Sequence, residues 1–486
     1  MLLRRVSFCL LLLIFPGCSL FDSVPQRPEG ISSRDLSFKP AQPVEWHLQN
    51  GLRVMFLEDR ELPMVSGTLY FLGGSVFDPK DRAGLASATG AQMRGGGVPG
   101  LLPQQLDAEL DATGAAIESS FGEEYGTVSF SCLGDDLSRV FELFSSVVRN
   151  PSFNAERFKL WQKLAEEGIR RRADSPDVMA QMAFERILYG SNSGWRDRST
   201  VVSVSAITLE DMKEFHRQYV VPHNAILALS GNISAAEARA MVEKFFVDWD
   251  GPRTKLKFPE VHRVIKPGIY VLERDFEQAN VVMGHFGPGR YEGSFPARAV
   301  FNRIFGLGGF QSVLMNEVRT KRGLAYSVYG GLFPGRSIGV MQIGLGTRNE
   351  EVVNAIESIV EVVGGLKKEP VSAESLEDAA LAEKGSFVFN FKDPGAIVAR
   401  RALLSLLDYP KDFDATYLDT VSALNPRSLH KETNKELRPG EMAIVVVGRV
   451  SAAELARKFS ERTPVYHLEF TEQALVGKIV HPEAGD

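Results

Sequence analysis

The chain has 486 residues, 44% of them hydrophobic and 24% charged, with a formal net charge of −6; this globular composition has room for about two to four domains and excludes wholesale disorder. Without the segment 1–17, which holds Arg4 and Arg5, the charge becomes −8, and a chain lacking a cationic excess gains nothing from counterion release, so nucleic acid is excluded as a partner. Three cysteines, Cys9, Cys18 and Cys132, cannot build a disulfide framework, and Cys132, alone in the body of the chain, reads as a small buried hydrophobe.

Residues 1–18 read MLLRRVSFCLLLLIFPGC. Arg4 and Arg5 precede an apolar stretch of about a dozen residues, the length of a signal-peptide core and short of the ~20 residues that span a bilayer. The closing Phe15-Pro16-Gly17-Cys18 resembles a bacterial lipobox, which would make 1–17 a lipoprotein signal peptide and Cys18 the lipidated first residue; the alternative is an ordinary signal peptide cut nearby. Several acyl chains on Cys18, each buried CH₂ contributing ~0.8 kcal/mol, would anchor the chain stably. Ser19 in place of aspartate resembles outer-membrane sorting, so the expected address is the bacterial cell envelope, lipid-anchored and facing the periplasm. Residues 18–43, rich in Ser, Pro, Gln and Arg, read as a flexible tether.

Downstream, the chain repeats itself. ILALSGNISAAEARAMVEKFF (226–246) and AIVVVGRVSAAELARKF (443–459) match at a shift of 217, Gly231 on Gly448 and Ser234 on Ser451. Each is an apolar strand, a turn, and a serine N-cap opening an amphipathic helix. The same shift of 217 carries Gly51 onto Gly268, Val54 onto Val271 and Gly67 onto Gly284. Two homologous halves are expected, 44–250 and 267–465, joined by a basic linker at 251–266 and followed by a tail at 466–486. Strands open each half, helices fill it and a strand–helix pair closes it, which predicts an α+β fold with helices packed on one face of a largely antiparallel sheet.

This duplicated pattern resembles the pitrilysin/insulinase-type metallopeptidases, whose inverted zinc motif is H-x-x-E-H on a helix. The segments that carry the resemblance are Gly84-Leu85-Ala86, Tyr219-Val220-Val221-Pro222-His223-Asn224, and Arg319-Thr320-Lys321-Arg322-Gly323-Leu324-Ala325-Tyr326. Where the zinc motif is expected, the chain reads Ser87-Ala88-Thr89-Gly90-Ala91. Ser87 and Ala91 stand at the histidine positions and Gly90 at the glutamate position. Alanine and glycine offer no ligand atom, a serine hydroxyl is a poor one, and no carboxylate remains to take a proton from bound water. The family's third ligand falls at Gly168, with Glu167 one residue away. None of the eight histidines lies three or four residues from another, so no helix presents a histidine pair. The small residues of 83–93 suit close packing of another backbone, and no metal is expected in this chain.

The family also uses an arginine and a tyrosine seven residues apart to hold substrate peptide, a spacing met here by Arg319 and Tyr326. QSVLMNEVRTK reads as a helix stopped by Gly323, and LAYSVYGG as a strand with Leu324, Tyr326 and Val328 on one face. A guanidinium in the last helical turn and a phenol early in the strand can meet and donate to a peptide carbonyl or carboxylate; the plainer reading is that Arg319 complements the helix dipole and Tyr326 packs. Gly306-Leu307-Gly308-Gly309-Phe310 reads as a flexible turn rather than a phosphate loop.

Some members of the family divide the work between a zinc-bearing chain and one that lacks zinc ligands but supplies the Arg/Tyr pair. The resemblance therefore implies a non-catalytic subunit that positions unfolded peptide for a homologous partner carrying the zinc. The alternatives are a homodimeric peptide-binding or scaffolding lipoprotein without proteolytic role, and an unorthodox peptidase using Glu167 with distant ligands.

Overall fold

The computed structural model describes residues 40–190, 194–196, 198–253, 255–261, 266–459, 461–470 and 475–480. Cys18, the segment 1–17 and most of the tether lie outside the described residues. Among the described residues no helix is long and apolar enough to cross a membrane.

The strands are β1 (Val44–His47), β2 (Arg53–Glu58), β3 (Met64–Leu72), β4 (Ala116–Phe121), β5 (Tyr125–Leu133) and β6 (Ala225–Gly231), ordered β1-β2-β6-β3-β5-β4 in one sheet. A second sheet holds β7 (Gly268–Glu273), β8 (Gln278–Gly287), β9 (Ala325–Phe333), β10 (Gly339–Arg348), β11 (Ala443–Gly448), β12 (Val465–Phe470) and β13 (Leu475–Val480), ordered β13-β12-β7-β11-β8-β10-β9. The central run β2-β6-β3-β5-β4 is repeated as β7-β11-β8-β10-β9, with one parallel pair in each, β2/β6 and β7/β11. This is the α+β fold with largely antiparallel sheets that the repeat implied.

Alternation sets which face is buried. In β3 and β5, Val65, Leu69, Phe71, Val128, Phe130 and Cys132 point inward, one residue in two. They meet Val140, Phe141, Phe144 and Val147 of the helix Leu137–Arg149. Burial raises the free Cys132 thiol to about 11, so it stays protonated and packs as an apolar group.

β6 and β11 are buried at every position because each sheet is covered on both faces. The second cover comes from the other half. The helix Pro394–Leu406 lays Val398, Ala402 and Leu406 on Met55, Ile226 and Ala228 of the first sheet. Reciprocally, Met179, Ala183, Phe184 and Leu188 of the helix Pro176–Tyr189 pack on Tyr270, Leu272, Val282 and Val445 of the second. At ~1.5–3 kcal/mol per fully buried large apolar side chain, this exchange is a principal bond between the halves. Polar ties join it: Arg290 donates to both carboxylate oxygens of Glu124 at 3.0 and 2.5 Å, and Gln181 and Gln342 exchange amide hydrogen bonds at 3.3 and 2.8 Å.

The linker and the C-terminal segment both make contacts with the body of the chain. Within 251–266, Pro259 accepts a 2.8 Å hydrogen bond from the Trp195 indole and Phe258 lies under the Arg336 guanidinium at 3.9 Å, so Phe258 and Pro259 pack against the body. Residues 466–486, read as a tail, supply most of β12 and all of β13; the parallel pairing of Val465–His467 with Ile269–Val271 extends the second sheet. Strands this short carry too little alternation to stand out in a terminal segment.

Candidate functional site

The helix Leu85–Gly95 begins at Gly84, whose N–H and that of Ala86 donate to the Asp78 carboxylate at 2.8 and 2.9 Å. Ser87 is exposed, Ala91 half-buried and Gly90 buried. Gly90 lies against the backbone of β4: a Cβ there would sit 2.7 Å from the Phe121 nitrogen and 2.9 Å from the Ser120 Cα. The helix is fastened in that position. Ser119 Oγ donates to the Gly90 carbonyl at 2.6 Å and accepts from the Arg94 N–H at 3.0 Å. The Arg94 side chain donates to the Ile117 carbonyl at 3.2 Å and to Asp107 at 2.6 Å. The outer edge of β4 is thus occupied by the helix, and a glutamate could not begin its side chain at position 90 without moving one backbone away from the other.

These residues do not fit a zinc ion. Ser87 offers a hydroxyl, Gly90 and Ala91 offer nothing, and Gly168 is exposed on the helix Ala155–Arg171 with open space around its Cβ position. Nearby Glu166 is engaged by Ser205 at 2.8 Å and Arg170 at 3.2 Å. Among the described residues no three His, Cys, Asp or Glu side chains gather into a group able to hold a metal.

The second half repeats the device. Helix Phe295–Asn302 continues into a π-helical turn, Arg303–Leu307, in which Gly306 stands three residues after Arg303 as Gly90 does after Ser87. A Cβ on Gly306 would lie 2.4 Å from the Gly330 nitrogen and 2.6 Å from its oxygen, again the backbone of an edge strand. Asn302 completes the cover, accepting from the Leu332 N–H at 2.8 Å and donating to its carbonyl at 3.1 Å. LAEEG (164–168) and LAEKG (381–385) match at the repeat shift of 217. Glu383 of the helix Ala373–Phe387 is bound by Arg303 Nε at 2.5 Å and by the Tyr417 hydroxyl at 2.7 Å. Each half therefore carries a glycine pressed on the backbone of its own sheet's edge strand.

Arg319 and Tyr326 do converge. The segment Met315–Lys321 is π-helical rather than α-helical, and Gly323, at φ 62°, ends it with its N–H on the Arg319 carbonyl at 2.9 Å. The left-handed conformation is the reason for a glycine there. The expected common face of Leu324, Tyr326 and Val328 is broken by a β-bulge. Ser327 pairs with Gly346 but Ala325 with Thr347, leaving Tyr326 as the extra residue. Leu324 and Val328 are buried, whereas Tyr326 is 78% exposed; a bulge re-aims a side chain in this way. The Arg319 guanidinium carbon lies 5.1 Å from the Tyr326 ring centre and 4.9 Å from that of Phe310, which is 68% exposed. Its neighbours Lys321 and Arg322 are paired with Glu317 and Glu361, but among the described residues Arg319 makes no ion pair. Both rings stand within cation–π distance of the guanidinium, and among the described residues no carboxylate takes its N–H groups. Phe310 was not singled out as a site residue from the sequence; the signal available was an aromatic residue directly after Gly308-Gly309.

Residues 53–192 match the family model described as insulinase (peptidase family M16), and residues 206–382 match the one described as peptidase M16 inactive domain. The chain belongs to the insulinase, or M16, peptidase family. It is 22% identical over 362 residues to an uncharacterized zinc protease of Bacillus subtilis, covering 74% of this chain and 87% of that one. A corresponding protein of Mycobacterium leprae is 25% identical over 359 residues, covering 69% and 80%. Among solved structures, a peptidase M16 inactive domain from Pseudomonas fluorescens has a TM-score of 0.78 at 26% identity, covering 84% of this chain and 98% of that one. A Helicobacter pylori protease shares the fold, with a TM-score of 0.75 at 18% identity, covering 84% and 100%. Within this M16 chain, the helix at the zinc-motif position carries no ligand side chain, and the position of the general base is a glycine in contact with β4.

Proposed function

We propose that this M16 chain is the non-catalytic subunit of a zinc peptidase, holding unfolded peptide while a homologous partner supplies the metal and the general base. The observation that carries the reading is the contrast between its two candidate sites. Gly90 is locked against β4, whereas Arg319 makes no ion pair among the described residues and lies within cation–π distance of the exposed rings of Phe310 and Tyr326. Arg319 and Tyr326 would donate to a peptide carbonyl or terminal carboxylate, and Phe310 would offer a ring face to a neighbouring side chain. Positioning of this kind can account for several orders of magnitude in rate without chemistry from the positioning residues. The resemblance of Phe15–Cys18 to a lipobox supports an outer-membrane lipoprotein facing the periplasm, the compartment in which the partner would be met.

The test is to tag the full chain in its native bacterium, purify it gently and identify by mass spectrometry what accompanies it in equal amount. A stoichiometric homologue bearing H-x-x-E-H is the expected result. A homodimer with no such companion would overturn the split-site reading and leave a peptide-binding lipoprotein.

A further inference from the structure

Large apolar side chains exposed to solvent line up along one strand and the turns beside it. Tyr326, Tyr329 and Phe333 of β9 are exposed, as are Leu307, which closes the π-helical turn against the β9 edge, and Phe310 just after it. Exposed apolar surface gathered in this way marks an interaction site. Two glycines let the rings lie flat on the sheet. A Cβ on Gly344, the β10 partner of Tyr329, would stand 2.5 Å from the Tyr329 hydroxyl oxygen, and one on Gly331 would stand 3.1 Å from the Phe333 ring. Tyr329 and Phe333 leave the same face of β9 by alternation, so rings cover the strand beyond the Arg319–Tyr326 pair.

The strip ends in a cavity of about 360 Å³, with Phe295, Leu307, Leu332 and Phe333 among its apolar walls. That volume falls at the lower end of the ~300–1,000 Å³ of small-molecule sites and has room for one large side chain. The polar groups of the lining are already engaged. Arg298 donates to the backbone carbonyls of Glu292 and Arg290, and the carboxylates of Glu292, Glu432 and Glu436 offset its charge. Arg303 is bound to Glu383, and Asn302 to the Leu332 backbone. What the cavity still offers an occupant is apolar surface. Its position along β9 follows from the register. Gly306, beside Leu307, meets Gly330, four residues from Tyr326, and Phe333 is seven residues from Tyr326. At ~3.3 Å per residue the cavity lies about 13–23 Å from Tyr326, a span that extended peptide covers in about four to seven residues.

We propose that this cavity takes one large apolar side chain of the peptide held by Arg319 and Tyr326, about four to seven residues from the group they bind. The chain would thereby select unfolded peptides that carry an aromatic or large aliphatic residue at that distance. The proposal rests on the reading of Arg319 and Tyr326 given above, and the Leu307–Phe333 cavity adds to it the choice of peptide.

The full chain is titrated by calorimetry with N-acetylated peptides of about twelve residues, built from Gly, Ser and Gln and ending in a free carboxylate. Three of them carry a single phenylalanine about two, five or nine residues before the C-terminal residue, and a fourth carries none. The expected result is that phenylalanine at five tightens binding at least about tenfold over the peptide without it, as burial of a large apolar side chain should, and that two and nine gain far less. Leu307→Trp narrows the cavity from an exposed position and Phe333→Ser removes a wall; each should erase the advantage at five. Arg319→Ala should weaken all four peptides. Equal binding of the three phenylalanine peptides, or an advantage that survives both cavity variants, would overturn the proposal, and weakening by Arg319→Ala would then still support the role of Arg319. An advantage at five that Arg319→Ala leaves untouched would overturn the role of Arg319 and, with it, the spacing proposed here. No binding of any peptide at millimolar concentration would overturn both.

Discussion

Replacing Gly90 by alanine separates a packed contact from ordinary helix propensity. In the interior of a helix, glycine to alanine should stabilise by roughly 0.8–1.0 kcal/mol, because alanine loses less backbone entropy. Gly168, in the helix Ala155–Arg171, has nothing within 4 Å of its Cβ position and should show that gain. Gly90 should not, since its Cβ would meet backbone atoms of Phe121 and Ser120 at 2.7 and 2.9 Å. Neither backbone can turn aside as a flexible side chain could, so the helix must withdraw from β4 by several tenths of an ångström. That movement stretches the 2.6 Å hydrogen bond from Ser119 to the Gly90 carbonyl and the 3.2 Å bond from Arg94 to Ile117. Overpacking costs about 1–3 kcal/mol, and strain on two hydrogen bonds worth ~0.5–1.5 kcal/mol each adds to it. The net expectation for Gly90→Ala is a destabilisation of about 1–3 kcal/mol, opposite in sign to Gly168→Ala. The assay is urea unfolding followed by circular dichroism, comparing the midpoints of the two variants with the parent. Equal stabilisation by both would show that the helix does not press on β4, and position 90 would then have room for a side chain.

Other expectations follow from the same geometry. Glu124→Gln leaves Arg290 largely buried without its bidentate partner and should cost about 3–5 kcal/mol, visible as a lowered urea midpoint. His285 is fully buried, with Nδ1 on the Phe286 carbonyl at 2.7 Å and Nε2 accepting from the Arg438 N–H at 3.1 Å, and burial lowers it from 6.5 to about 4. Below pH ~6.5 the unfolded chain binds a proton that the native histidine refuses, so this group should remove on the order of 3 kcal/mol of stability as pH falls to ~4. Denaturation midpoints across that range should fall less steeply in His285→Gln. In an assembly with a zinc-bearing partner, Arg319→Ala should lower kcat/KM about 10–100-fold by removing a charge-assisted hydrogen bond. Lys321→Ala, whose ammonium is paired with Glu317 on the surface, should leave it unchanged.

The duplication was legible because its markers are local: the apolar strand, the turn and the serine cap at 231–237 recur at 448–454. The meeting of Arg319 with Tyr326 was legible for the same reason, since a left-handed glycine between a helix end and a strand start brings residues seven apart together. The bulge at Tyr326 was not, because a one-residue slip against β10 leaves no trace in composition or alternation. Nor could any local pattern announce that the helices Pro176–Tyr189 and Pro394–Leu406 each cover the other half's sheet. Their apolar stripes state that a face is buried, not against what. The small residues of 83–93 did announce close packing, and the structure supplies the partner, the backbone of β4.

Hydrolysis of an unfolded peptide by the purified chain, alone and then with a copurifying H-x-x-E-H homologue, tests the central claim most directly. The account predicts no cleavage by the chain alone with added zinc, and cleavage by the pair that is lost on chelation and reduced by Arg319→Ala. Zinc-dependent cleavage by the chain alone, undiminished by Arg319→Ala, would contradict it.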